Sequence, residues 1–309
     1  MKKNIIVFGG EGLLGKHVVQ ELKREKSGFN IVVLSRRSGC DMRSFMVLFE
    51  HLKTTQPVYI FNCAAHVGSV HYAMKYSGDM ISDNILINTN LYKAVSLACP
   101  KATIINPLSN CSYPGSANTQ IEKDWFMGEV HSSVLSYGVT RKLIYALADS
   151  YYKQYKVKTI NWLVSNAYGP GDYLDPFRVH ALNGIIIRMI KSKKENKKEF
   201  EIWGSGNPTR EWVYIKDVAK MLVASSGKIK KQIYPVNLAQ NKAYSINEIT
   251  EIIAEALKYK VKFTHNDMPD GAPTKILDDT KFRKLHPEFK FTSLKSGIKE
   301  TIKYYLKNL

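Results

Sequence analysis

Residues 4–8, NIIVF, form a short apolar run that stops at Gly9, and two further glycines, Gly12 and Gly15, follow at three-residue spacing. Over 13–25 the chain then places Leu14, Val18, Val19 and Leu22 on one face of a helix. A buried strand, a glycine-rich turn and an amphipathic helix form the first unit of a dinucleotide-binding α/β sheet. Glycines there permit the tight turn, let backbone approach a pyrophosphate and let the helix pack closely, while the helix N-terminus faces the phosphates. A glycine triplet alone also suits any tight strand-to-helix turn. Its place after the first strand favours the dinucleotide.

The alternation continues with IVVL (31–34), a helix over 43–53, VYIFN (58–62), a helix near 80–98, ATIIN (102–106), a helix over about 135–154 and TINWLV (159–164). Strands that are apolar throughout belong to parallel sheets covered on both faces. The expected fold is therefore a doubly wound parallel α/β sheet. Beyond 165 the rhythm loosens into a Gly/Pro-rich loop, NAYGPGDYLDP (166–176), a helix over 180–193 and a strand near 200–203. WVYIKDVAKMLVAS (212–225) reads as a strand and helix that return to the sheet. A helix near 245–257, a strand near 260–264 and a helix near 293–307 close the chain. With no internal repeat or long linker, a smaller interleaved lobe is expected. Residues 1–165 and about 207–237 would bind the dinucleotide; 166–206 and 238–309 would form the substrate lobe.

The 309 residues are 44% hydrophobic and 23% charged, enough to bury a large core. That balance excludes a disordered chain, a collagen-like repeat and a disulfide-stapled mini-domain. No apolar run approaches the roughly 20 residues of a membrane span, and MKKNIIVFGG is too short in apolar residues for a signal peptide. Cys40, Cys63, Cys99 and Cys111 lie far apart without metal-ligand spacing, which suits reduced thiols in a cytoplasm. The net charge of +18 favours anionic partners. Its densest run, KSKKENKKEF (191–200), has no interleaved aromatic and reads as a solvated helix end rather than a nucleic-acid patch.

Strand two ends VLSRRSG, with Arg36 and Arg37 where an acid would bond a ribose 2′-hydroxyl. A guanidinium fork suits a 2′-phosphate, so NADP(H) is expected; two plain surface arginines are the bland alternative. Asp41 and NCAAHVG (62–68) would line the adenine and ribose side. LSNCSYPG (108–115) follows the fourth strand and SYGVTRK (136–142) opens the next helix, which resembles the short-chain dehydrogenase arrangement of a Ser and a Tyr-x-x-x-Lys. Four helical residues advance by about 40°, so Tyr137 and residue 141 share a face. A fixed cation there is expected to lower the tyrosine pKa and ready it to exchange a proton with a sugar oxygen.

The chain as a whole resembles the GDP-L-fucose synthase family of extended short-chain enzymes. CAAHVGSV, SDNILINTN, SNCSYPG, NAYGPGDYLDP, WGSGNPTREWVYIKDVA and PDGAPTKILDDTKF are similar to that family's segments, in order. The resemblance implies C3 and C5 epimerisation of a GDP-linked 4-keto-6-deoxy sugar, then reduction at C4 by NADPH. By it Ser109 and Tyr137 would polarise and protonate the sugar oxygen, and Cys111 and His180 would be the epimerising acid/base pair. Gly9, Gly12, Leu13, Leu14, Gly15, Arg36, Arg37, Asp41, Ala64, Ala65, Tyr137 and Arg141 would hold the cofactor. Asn166, Arg188, Trp203 and Arg210 would hold the substrate, and a homodimer would form through the helices at 80–98 and 135–154. The family's usual lysine is here Arg141, with Lys142 about 140° round the helix; Asn110, Ser112 and Gly171 also depart from the family pattern. Rival readings are a 4-keto reductase without epimerisation, an epimerase that retains its NAD(P), and a non-catalytic Rossmann sensor or RNA-binding protein.

Overall fold

The computed structural model describes residues 2–268, 270 and 272–309, so Pro269 and Gly271 of the PDGAPTKILDDTKF segment lie outside the described residues. The first half runs β1 (Lys3–Phe8), α1 (Leu13–Glu25), β2 (Phe29–Leu34), α2 (Phe45–Thr55), β3 (Pro57–Asn62), α3 (Val70–Lys75), α4 (Ser77–Ala98) and β4 (Thr103–Ser109). It continues through β5 (Thr119–Gln120), α5 (Leu135–Tyr155), β6 (Lys158–Val164), β7 (Asn166–Tyr168), α6 (Ala181–Lys194), β8 (Glu199–Ile202), β9 (Thr209–Tyr214), α7 (Ile215–Ser225) and β10 (Gln232–Leu238). The remainder is β11 (Ala243–Ser245), α8 (Ile246–Leu257), β12 (Lys262–His265), β13 (Thr274–Leu277), α9 (Thr280–Leu285) and α10 (Leu294–Asn308).

Six parallel strands form the main sheet in the order β10-β6-β4-β3-β1-β2. Its inner strands are largely buried because helices cover both faces. Leu48, Leu52, Leu91, Tyr92 and Ile144 of α2, α4 and α5 pack on one side, and Val18, Leu22, Val218 and Leu222 of α1 and α7 on the other. Fully burying such a side chain stabilises the fold by about 1.5–3 kcal/mol each. The strand order reverses between β1 and β3. Such a reversal opens a crevice at the carboxyl ends of the strands, where ligands of these sheets bind.

The second lobe has a sheet in the order β11-β9-β13-β5, with β7 paired to β9 and a separate β12-β8 pair. Leu182, Ile186, Ile253, Ile298 and Tyr305 knit α6, α8 and α10 into its core. The expectation that 212–225 would return to the main sheet as strand and helix needs correcting. Helix α7 does lie against the main sheet, but β9 belongs to the second sheet, where β7, β11 and β13 take its edges. The sixth main-sheet strand is β10, QIYPVNL, whose Pro235 and Asn237 interrupt the apolar run expected of a buried strand. Asn237 is satisfied by accepting from Tyr113 Oη and donating to the carbonyls of Gln120 and Asp278.

Candidate active site

Glycine is required at particular positions around the turn after β1. Gly9 has φ +68°, and a Cβ on it would stand 2.7 Å from the Cys63 carbonyl oxygen and 2.8 Å from Ala64 backbone. A Cβ on Gly15 would overlap the Gly9 carbonyl, so α1 can pack this closely only with glycine there. The turn is closed by Gly12 N–H donating to Gly9 O at 3.0 Å. Beside it lies a cavity of about 390 Å³ along the crevice. Of the residues expected at the cofactor, Gly9, Gly12, Leu13, Arg36, Arg37, Asp41, Ala64 and Ala65 line it. Leu14 instead packs into the core under α1, and Gly15 supports the turn from behind.

Arg36 and Arg37 are exposed at the rim, and neither side chain makes a hydrogen bond among the described residues. Both guanidinium forks are therefore open to a phosphate. Asp41 is not free in the same way: Arg43 holds it at 2.6 Å and also reaches Asp83 at 3.1 Å. That bond keeps the Asp41 carboxyl below the usual carboxylate range. Glu11 also lines the cavity, accepting the Ser35 hydroxyl at 2.9 Å. A glycine cradle, a crevice of this size and two open arginines fit a nicotinamide dinucleotide carrying a 2′-phosphate.

At the end of β4, Ser109 caps a single turn, Asn110–Ser112, and its Oγ accepts the Cys111 N–H at 3.4 Å. The two departures in this turn have structural partners. Ser112 Oγ donates to Ser109 O and accepts Trp125 Nε1, and Asn110 Nδ2 donates to Gln120 Oε1. Gly138 brings α5 onto the turn: a Cβ there would lie 2.9 Å from the Cys111 carbonyl oxygen. Tyr137, the neighbour of Gly138, lies near enough to Cys111 that a thiolate there would push the phenol up further.

Arg141, only 3% exposed, lays its guanidinium over the Tyr137 ring, 4.5 Å from the centroid. Its Nη2 donates to Asn84 Oδ1 at 3.1 Å, while its Nε has no partner among the described residues. Lys142 points elsewhere, toward the Gly128 carbonyl and the Phe126 ring. The expected lowering of the Tyr137 pKa is not the net outcome. Burial pushes the phenol up, and the Arg141 charge only partly pulls it back. Burial likewise raises the Cys111 thiol, opposed by the Ser109 bond and by the charges of Arg141 and Lys275.

His180 is the residue before α6. Its Nδ1 lies 3.0 Å from Asp172 Oδ2, and Asp172, Gly171 and Tyr173 line the crevice opposite the glycine turn. Burial disfavours the His180 imidazolium, yet the Asp172 bond and charge prevail and the pKa is raised. No hydrogen bond joins His180 to Cys111 among the described residues. In the second lobe, Arg188 of α6 stacks on Trp203 with its guanidinium 4.3 Å from the ring centroid, and Trp203 is half exposed. Arg210 of β9 pairs across the sheet with Lys275 of β13, and Asp270 faces Arg210 while accepting the Ser205 N–H. Lys275 carries this basic strip to Cys111. Asn166 of β7 donates its Nδ2 to the Glu211 carbonyl at 2.8 Å, tying β7 to β9.

Several residues here escaped the reading of the sequence: Arg43, Asp83 and Asn84 on the cofactor side, and Asp172, Asp270 and Lys275 on the other. All but Arg43 lie inside the six resemblance segments, so a signal was present. Nothing local, however, set them apart from ordinary polar and charged residues of helices, strands and loops.

The fold and the site define a nicotinamide-dependent enzyme of the extended short-chain dehydrogenase type. The chain belongs to the NAD dependent epimerase/dehydratase family, whose model matches residues 5–237. Among similar curated proteins, a GDP-L-fucose synthase of Dictyostelium discoideum is 28% identical, with 99% of this chain and 96% of that protein aligned. A GDP-L-colitose synthase of Yersinia pseudotuberculosis is 25% identical over 98% of this chain and 97% of its own. A GDP-L-fucose synthetase from Naegleria fowleri, solved bound to NADP, superposes with a TM-score of 0.89 at 24% identity, covering 99% of this chain and 93% of that one. No helix among the described residues is long and apolar enough to cross a membrane.

Proposed function

We propose that the protein is an NADPH-dependent epimerase/reductase of a GDP-linked 4-keto-6-deoxy sugar, acting as a GDP-L-fucose synthase does. The observation that carries this reading is the grouping of Ser109, Cys111, Tyr137 and Arg141 at the end of β4, beside a glycine cradle with two open arginines. NADP(H) is the cofactor, with Arg36 and Arg37 on its 2′-phosphate, and when bound it supplies the hydride that reaches C4. The dinucleotide is held by residues 1–165 with α7 and β10, and the sugar nucleotide by the second lobe, to which β9 and its Arg210 belong.

The residues do the rest. Arg188, Trp203 and Arg210 grip the nucleotide diphosphate: the guanidinium groups pair with phosphate and the indole face receives the base. Asn166 keeps β7 against β9 beside Arg210. Ser109 donates to the C4 oxygen, polarising the ketone and acidifying the protons at C3 and C5. Inversion needs proton removal on one face and return on the other, which Cys111 and His180 provide. Tyr137 protonates the C4 oxygen during reduction. Its raised pKa keeps the phenol protonated for that step, and Arg141 takes up the charge the phenolate acquires.

A homodimer through α4 and α5 is supported by Ile85, Leu86, Leu135 and Val139, large apolar side chains left exposed on those helices. The free thiols suit work in a cytoplasm, and the product feeds a surface polysaccharide. The test is NADPH oxidation by the purified protein with GDP-4-keto-6-deoxymannose, in wild type and in Cys111→Ser. Oxidation in wild type that is lost or stalled in the variant is expected. Equal rates in both would leave a reductase without epimerisation, and no oxidation with any keto-sugar nucleotide would refute the reading.

A further inference from the structure

The loop Tyr168–Tyr173 is tied to α1 at two successive carbonyls. Lys16 Nζ donates to Gly171 O, and the His17 ring bonds Pro170 O at 3.0 Å. A Cβ on Gly171 would overlap the Lys16 ammonium, and Gly171 has φ +89°. The glycine that departs from the family pattern is thus the residue that admits Lys16. The residue after this anchor is Asp172, whose side chain is 0% exposed. One of its oxygens, Oδ2, accepts three bonds: the His180 backbone N–H at 2.9 Å, His180 Nδ1 at 3.0 Å and Asn183 Nδ2 at 2.9 Å. The other accepts the Tyr173 N–H at 2.9 Å.

We propose that Asp172 is a positioning residue for His180, fixing the proton on Nδ1 so that Nε2 is the nitrogen that exchanges protons with the sugar. A carboxylate has no proton to donate, so a ring nitrogen bonded to it must be the donor. Nε2 is then a bare acceptor in the neutral ring and a donor in the charged one, the two states an acid/base group alternates between. Backbone and ring of His180 hang from the same oxygen, which leaves the ring little freedom to turn. The other charged and titratable groups that face the pair are Lys16 of α1, whose charge acts on Asp172, and Tyr305 of α10, which faces Asp172 from the second lobe. His17 senses Lys16 in turn. Asp172 is the only carboxylate among the described residues that bonds the His180 ring.

The role assigned to Asp172 rests on His180 being the acid/base group of the proposed reaction, so the experiment reads the ring separately from the chemistry. Nitrogen-15 NMR of the free protein, with the His180 signal identified by its loss in His180→Gln, gives tautomer and titration. The expected result is an Nδ1–H tautomer titrating above an ordinary histidine in wild type, and a lower titration with loss of the fixed tautomer in Asp172→Asn. In heavy water, deuterium uptake by the sugar is expected to fall roughly 100-fold or more in that variant, the scale of losing a correctly protonated acid/base group. An Nε2–H tautomer in wild type overturns the proposal even if Asp172→Asn does not fold. Unchanged titration and uptake in a folded Asp172→Asn overturn it too. If the ring behaves as expected while wild type exchanges no proton of any keto-sugar nucleotide, the functional reading fails and the ring assignment stands.

Discussion

Gly9 offers the sharpest test of the cofactor cradle. In Gly9→Ala two costs add. An L residue held at φ +68° costs about 1–2 kcal/mol. The new methyl would stand 2.7 Å from the Cys63 carbonyl oxygen and 2.8 Å from Ala64 backbone. Those neighbours are main chain of the turn after β3 and cannot rotate away, so relief requires the two turns to separate, at about 1–3 kcal/mol for an overpacked site. The sum is about 2–5 kcal/mol. The same two turns line the crevice, so a separation that NADPH must reverse appears as lost affinity. Only the separation, about 1–3 kcal/mol, has to be reversed on binding, so at 1.4 kcal/mol per tenfold the lower bound is a roughly five-fold weaker Kd. Calorimetric titration with NADPH and a thermal melt read the two consequences. Gly28→Ala is the control, because a Cβ there meets nothing within 4 Å; it should bind as wild type does. If Gly9→Ala binds NADPH normally and melts at the wild-type temperature, the cradle is not the dinucleotide site.

Tyr137→Phe should reduce NADPH oxidation by roughly 10²–10⁴-fold. Stability should stay within about 0.5 kcal/mol by urea unfolding, because the hydroxyl makes no hydrogen bond among the described residues. Arg141→Met removes the charge that favours phenolate, so the Tyr137 phenol should rise further. Ultraviolet difference titration should see that rise, and the basic limb of the rate profile should move to higher pH; a shift downward would contradict the role given to Arg141. Glu211, fully buried, holds the Gln240 and Leu277 N–H groups, and burial pushes its carboxyl up to about 7 from an ordinary 4.5. The folded state then keeps a proton the unfolded chain has released, so this group's contribution to stability declines from about pH 4.5 to about 7 and is level above. The decline is on the order of 3 kcal/mol. Urea unfolding at pH 5 and 8 should show that loss in wild type and not in Glu211→Gln; equal slopes would refute the assignment.

How much of this was legible in the chain depended on how local each cause is. The glycine turn and the alternation through β1, β2, β3, β4 and β6 could be read because apolar runs, helical spacing and φ-demanding glycines are written in consecutive residues. Strand β10 could not, since Pro235 and Asn237 break its pattern and its buried amide is satisfied by Tyr113, Gln120 and Asp278 from distant segments. The candidate site followed the same rule. Ser109 and Tyr137 stood out by type and spacing, and Cys111 only through the family resemblance. The direction of the Tyr137 pKa did not, because it is set by burial that only the assembled fold creates. Gly171 looked like a simple departure until Lys16, 155 residues earlier, was found at its carbonyl. Asp172 looked like one more acidic loop residue until the fold set it beneath His180.

The most direct test of the central claim is proton NMR of the sugar after reaction of GDP-4-keto-6-deoxymannose and NADPH in heavy water. Cys111, His180 and Tyr137 acting at one sugar predict deuterium at both C3 and C5 in the product, with one NADPH consumed per sugar. A reduced product with protium at both positions would contradict the epimerising pair.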